Sequence, residues 1–253
     1  MKLLSVGLAV ALLATATSTT HAATATSPEL QIMTWVNRAR ATRGLVPLRS
    51  DPRLWGLADD RAAAMAALGV LSHGVAGSLQ EGINERGIRW YGFGEVIAYS
   101  TGLGSAGAEA LFRLWASSPP HWELLMSGSF NYLGIGLAPS GSVTFGSMVL
   151  TESRDRTGAR AAMVKASVSG DDIRWSWRGS DPLLQSHTAG LRDFAVQQRT
   201  DRGSWVTVMS STASTARTVA NRVGGHWYGL RVRARDRAGN VGPWSAELRA
   251  WVP

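Results

Sequence analysis

The chain has 253 residues, 45% of them apolar, with no cysteine and a formal charge of +8. That length accommodates two domains of ordinary size, each with its own core. The absence of cysteine excludes disulfides and a lipidated-cysteine anchor, so packing alone must hold the fold.

The charge is uneven. From Ala23 to Arg160 there are 12 basic and 11 acidic residues, whereas from Ala161 to the end there are 13 and 7. A shift of this kind at one point supports a domain boundary there.

In chain order, Lys2 precedes an apolar run from Leu3 to Ala14, and Thr20-His21-Ala22 offers small residues at the positions a signal peptidase reads. The run of ~12 residues is short of the ~20 that a membrane span needs. The expectation is a cleaved signal peptide over 1–22, leaving a secreted, extracellular protein with no integral membrane segment. A secreted chain without disulfides also points to a bacterial source.

Ser27-Pro28-Glu29 reads as a helix start, with Leu30, Met33, Val36 and Ala39 at helical spacing and Gly44 as its stop. Asn37 and Arg40 fall on this helix as structural residues. Asp51-Pro52 starts a second helix, whose buried stripe is Leu54, Ala58, Arg61/Ala62, Met65 and Leu68, and Gly69 ends it. Gly74 to Phe93 reads as a glycine-rich loop with a short helix around Leu79 to Arg86. Ser105 is placed to cap a third helix with Ala108, Leu111, Phe112 and Trp115 inward. Ser118-Pro119-Pro120 breaks it, and His121 to Met126 forms a short further helix. Two strands follow, Tyr132 to Ala138 and Val143 to Leu150, joined by a turn. Helices first and strands after give an α+β fold. Trp35, Trp55 and Trp115 are expected in the core, and core packing is also the expectation for Trp90, Tyr91 and Phe93.

Three groups able to bind a metal or move a proton stand out: His73, Glu95 and His121. Each is expected at a break between regular elements, where a scaffold displays polar side chains. Their spacing is too long for a local metal motif, so only folding could unite them.

After Arg154-Asp155-Arg156-Thr157-Gly158, a turn-rich stretch, the periodicity becomes two. Ile173, Trp175 and Trp177 alternate with polar neighbours, and so do Tyr228, Leu230, Val232 and Ala234. Short strands at this spacing over about 90 residues predict an antiparallel sandwich. Arg231, Arg233 and Arg235 should form an exposed ladder on one strand face, with no aromatic residue interleaved. This argues against specific nucleic-acid binding, which needs stacking platforms.

The strings VNRARATRGLVPL, MAALGVLSHG, GFGEVIAYS and WASSPPHWELLM, with the GIG strand behind them, resemble the bacterial branch of the CAP superfamily of cysteine-rich secretory, antigen 5 and pathogenesis-related proteins. The resemblance runs from about Glu29 to Glu152. It implies an α-β-α sandwich with a central cavity, and puts His73, Glu95 and His121 at the positions of the family's cavity His and Glu. The sequence departs from the family pattern at three places. Val96 stands where Asn is usual after the cavity Glu, Ser118-Pro119-Pro120-His121-Trp122 replaces the usual SPGHR, and Phe145-Gly146-Ser147 lacks the Thr-Gln pair. A second cavity acid is not evident, with Glu109 and Glu123 as the candidates. The strings WRGSDP, FAVQQR and above all WYGLRVRARDRAGNVGPWS are similar to a bacterial fibronectin type III domain, which implies that Trp177 and Tyr228 are buried. The expected organisation is a signal peptide at 1–22, a CAP domain at 23–157, a linker at 158–162 and a fibronectin type III-like domain at 163–253.

Two imidazoles and a carboxylate can hold Zn²⁺ or another divalent metal with one position open. They can equally hydrogen-bond one another and pin the loops of the sandwich. Three functional readings follow. The first is a non-enzymatic cell-surface or extracellular protein, a monomer, whose cavity takes a metal or a small apolar ligand. The second is a metal-dependent hydrolase. The third is an adhesion module that binds anionic cell-wall polymer through the arginine ladder. Ser72, Ser117 and Ser118 lie near the histidines in sequence, but nothing sets a hydroxyl against an imidazole.

Overall fold

The computed structural model describes residues 27–253, so the expected signal peptide at 1–22 lies outside the described residues. Two of the three anticipated N-caps form; Ser105 instead lies inside the helix Gly104–Ser117, whose N-cap position, Leu103, makes no side-chain bond. Ser27 accepts from the Leu30 N–H (3.3 Å) at the start of α1 (Pro28–Ala41). Asp51 accepts from the Arg53 N–H (3.0 Å) at the start of α2 (Pro52–Leu68), which ends on Gly69 at φ 65°. That left-handed conformation suits glycine.

Beyond α2 come α3 (Leu79–Glu85), α4 (Gly104–Ser117) and α5 (Pro119–Leu125). The two prolines do not merely break α4; they open α5, where a missing N–H leaves nothing unsatisfied. The first sheet contains β1 (Arg49–Ser50), β2 (Trp90–Thr101), β3 (Tyr132–Ser140) and β4 (Val143–Ser153), in the order β1-β3-β4-β2. β1 runs parallel to β3, and the other pairs are antiparallel.

Helices cover both faces of this sheet, in α-β-α layers. On one face Ile32, Val36, Leu111, Trp115 and Leu125 pack on Val96, Leu133, Ile135 and Met148. On the other, Leu54, Leu57, Ala58 and Ile83 pack on Tyr132 and Val149. Trp35 and Trp55 pack against the first cluster, as expected. Of the aromatic trio, Trp90 and Phe93 join the second cluster, while Tyr91 is exposed.

Arg40 is structural, as anticipated. It is completely buried and donates to the carbonyls of Val46, Leu125, Ser127 and Phe130. Burial pushes its pKa down to about 10. Asn37 pairs with both backbone groups of Leu48.

The second domain has seven strands: β5 (Arg160–Ser169), β6 (Asp172–Ser180), β7 (Leu191–Thr200), β8 (Val206–Thr212), β9 (Ala216–Val219), β10 (His226–Asp236) and β11 (Leu248–Val252). They form sheets of order β5-β6-β9 and β11-β10-β7-β8, antiparallel throughout, a fibronectin type III-like sandwich. β5 begins inside the stretch expected as linker. Trp177 and Tyr228 are buried between the sheets, and the Tyr228 hydroxyl donates to the Val223 carbonyl (3.1 Å), a tyrosine corner. Among the described residues no helix is long and apolar enough to cross a membrane.

The segment between β6 and β7 docks on the first domain. Leu184 enters the Leu54–Leu57–Tyr132 cluster. Gln185 Oε1 accepts from the Val46 N–H (2.8 Å), and Asn131 Nδ2 donates to the Ser186 carbonyl (3.1 Å). His187 stacks on Tyr91 with ring centroids 4.3 Å apart.

Candidate functional site

β2 is an edge strand, and Glu95 lies in its middle rather than at a break between elements. The reason lies in the alternation on β2. Val96 and Ala98 turn toward α1 and α4, so Glu95 and Ile97 turn toward α2. There Glu95 meets Arg61 from the buried stripe of α2. The two side chains are 2% and 3% exposed.

The Glu95 carboxylate is held on all sides. Arg61 Nε donates to Oε1 (2.5 Å) and Arg61 Nη2 to Oε2 (3.0 Å), in a bidentate pair. Ser147 Oγ donates to Oε1 (2.7 Å) from β4. His73 Nδ1 lies 2.7 Å from Oε2; against an ionised carboxylate that nitrogen carries the proton. Arg61 also donates to the carbonyls of Gly77 and His73, which ties the loop after α2 to the site.

With Nδ1 engaged, His73 offers Nε2, and its side chain is 60% exposed. His121 sits in the first turn of α5, which packs against β2. Burial, and then the charge of His73, holds His121 below its ordinary pKa of 6.5. The charge of His73 thus reaches His121, while His73 itself rests on the Glu95–Arg61 pair.

His73 and Glu95 are in direct contact, and His121 is linked to them through the charge of His73. Their ligating atoms do not gather as a trio within 4.8 Å among the described residues. Neither candidate for a fourth acid joins them. Glu109 pairs with Arg113 on the exposed face of α4, and Glu123 is exposed on α5. The hydroxyls of Ser72 and Ser117 bond to local backbone.

Sequence reasoning missed two members of the site, Arg61 and Ser147. Arg61 carried a signal, because an arginine on a buried helix stripe demands buried acceptors, which a carboxylate or, as for Arg40, carbonyls can supply. Ser147 carried none.

The arginine ladder differs from expectation. Arg231, Arg233 and Arg235 are half-buried, because aromatic rings from neighbouring segments do interleave them. Arg231 lies 4.2 Å from the Trp205 ring centroid and 4.9 Å from that of Trp244, and Arg233 lies 4.6 Å from Trp244. Arg235 pairs with Asp193 (2.7 Å). The ladder is a cation–π stack on β10, an interior strand of its sheet, and not a free cationic face.

Residues 33–151 match the model of CAP, the cysteine-rich secretory protein family. That match and the α-β-α layering make the first domain a CAP domain. A solved extracellular protein with an SCP domain from Bacillus anthracis is 21% identical, with a TM-score of 0.44, over 49% of this chain and 40% of that one. A cysteine-rich secretory protein from Staphylococcus aureus is 17% identical, with a TM-score of 0.42, over 49% and 38%. This chain therefore spans well under half the length of those two proteins. A human fibronectin type III domain is 17% identical, with a TM-score of 0.34, over 41% of this chain and 84% of that domain. A comparison with curated proteins found no match.

Proposed function

We propose that this is a secreted, non-enzymatic binding protein whose CAP domain presents His73 and His121 as an open two-imidazole site. The observation that carries this reading is the saturation of Glu95. Four donors from Arg61, Ser147 and His73 occupy a carboxylate that has almost no solvent contact. A carboxylate so engaged is neither a free metal ligand nor a ready general base. It serves instead to fix the ring of His73 and to leave Nε2 outward, the role that carboxylates play behind metal-bound imidazoles.

The donor set fits a borderline divalent metal such as Zn²⁺ held by His73 and His121, with the remaining positions taken by water or an external ligand. The metal, when bound, supplies a Lewis-acid position to that ligand. The chain's own residues hold the His73 ring through Glu95 and favour the neutral form of His121 through burial. Binding is favoured over hydrolysis because the Ser147 hydroxyl spends its proton on Glu95, and the Glu95 carboxylate is itself fully engaged.

The test is Zn²⁺ titration of the purified chain, followed by His73→Ala and His121→Ala. Wild type should bind, and each variant should bind at least ~10-fold more weakly. Wild-type protein that takes up no metal, or variants that bind as wild type does, would overturn the reading.

A further inference from the structure

Three aspartates meet at the domain junction, away from the histidine cleft. Asp155 follows β4, Asp181 follows β6 and Asp236 ends β10. One oxygen from each lies within 4.8 Å of the others. Asp236 is 0% exposed and Asp155 5% exposed, while Asp181 is half-buried.

Their hydrogen bonds come from neutral groups only. Asp155 accepts from the Thr157 N–H (3.0 Å) and hydroxyl (2.8 Å), the Ala189 N–H (3.1 Å) and the Tyr132 hydroxyl (3.4 Å). Asp236 accepts from Asn240 N–H (2.8 Å) and Nδ2 (2.7 Å). Asp181 Oδ2 accepts from the Gly190 N–H (2.7 Å), but its Oδ1 is buried and has no partner at all.

Among the described residues no Lys, Arg or His nitrogen stands within ion-pair distance of any of the three. The positive charges around the cluster stand further out: Arg49 is a minor influence on Asp181 beside the burial and the two neighbouring carboxylates that push its pKa up, and Arg237 packs against Gly190, whose N–H Asp181 accepts. Buried like charges without a counter-charge are strongly disfavoured. A cation resolves the conflict and also gives the orphaned Asp181 oxygen its partner.

We propose that Asp155, Asp181 and Asp236 form a Ca²⁺ site that locks the two domains together. Carboxylate oxygens are the donors hard cations take. Two ligands ~2.4 Å from a Ca²⁺ ion stand up to ~4.8 Å apart, so the spacing admits this ion between them. The ion would join the end of the first domain's last strand to the segment docked on that domain and to the turn after β10.

The test uses the full chain stripped with EDTA, followed by calorimetric titration with CaCl₂ and thermal melts with and without Ca²⁺. One Ca²⁺ per chain and a raised melting temperature are expected. Asp181→Asn should weaken Ca²⁺ binding at least ~10-fold, yet melt at or above wild type in EDTA, because one repelling charge is gone. Should that variant fail to fold, Tb³⁺ luminescence on wild type, displaced by Ca²⁺, decides the matter. Two results overturn the site. One is wild type showing neither heat nor a melting shift at ~10 mM Ca²⁺, with stability rising on acidification as expected of a shared proton. The other is Asp181→Asn retaining wild-type affinity.

Discussion

At the scale of single residues, the cleft depends on one buried ion pair. Arg61 and Glu95 have left water together, and each is tolerable only because of the other. Glu95→Gln leaves the guanidinium unpaired in the interior. It is expected to cost about 3–5 kcal/mol in urea unfolding and to release His73. His121 adds a pH dependence whose sign follows from its lowered pKa, caused first by burial and then by the charge of His73. The unfolded chain takes up the proton more readily than the folded one. The stability from this group is therefore complete above pH 6.5, and it is lost as pH falls from there through the folded value. Melts between pH 7.5 and 5 should show a decline that His121→Ala reduces. His73 and His121 stand beside breaks that the sequence shows, whereas Glu95 was singled out through Gly94 although it lies in mid-strand. Ser147 was not legible, because a serine in an apolar strand reads the same whether or not its hydroxyl has a partner.

At the scale of elements, the GIG sequence of β3 sets how closely α2 can lie on the sheet. A Cβ on Gly134 would stand 2.0 Å from the Leu54 carbonyl carbon, and one on Gly136 would stand 2.2 Å from that of Ala58. Backbone cannot yield at such distances without moving the helix. Gly136→Ala should therefore displace α2 near Arg61, three residues beyond Ala58. The expected loss is about 2–3 kcal/mol, read as a lower urea midpoint, together with weaker Zn²⁺ binding from a disturbed Glu95–His73 pair. The helices of this domain were readable from periodicity, and α1 and α2 also from their caps. The strand that bears Glu95 was not, since Gly92 and Gly94 look like loop residues. The structure gives Gly94 a packing role: a Cβ there would meet Leu124 of α5 at 2.9 Å. What reads as flexibility in the sequence is room for a helix.

At the scale of the whole molecule, the change in charge and periodicity near residue 160 marked two domains but not how firmly they join. The joining segment is polar and turn-rich, and only the pair Leu183-Leu184 departs from that pattern. Leu184 is 4% exposed, yet the residues around it, Leu54, Leu57 and Tyr132, belong to the first domain. The second domain thus completes part of the first domain's core, and the two should unfold as coupled units. Leu184→Ala leaves a gap in that shared cluster, with an expected cost of about 2–4 kcal/mol. The coupling shows in where the cost falls. Hydrogen exchange should rise in α2 and α3, on the far side of the boundary from the substitution, as well as in the segment between β6 and β7. Protection unchanged in α2 would mean that the docked segment rests on a core already complete without it.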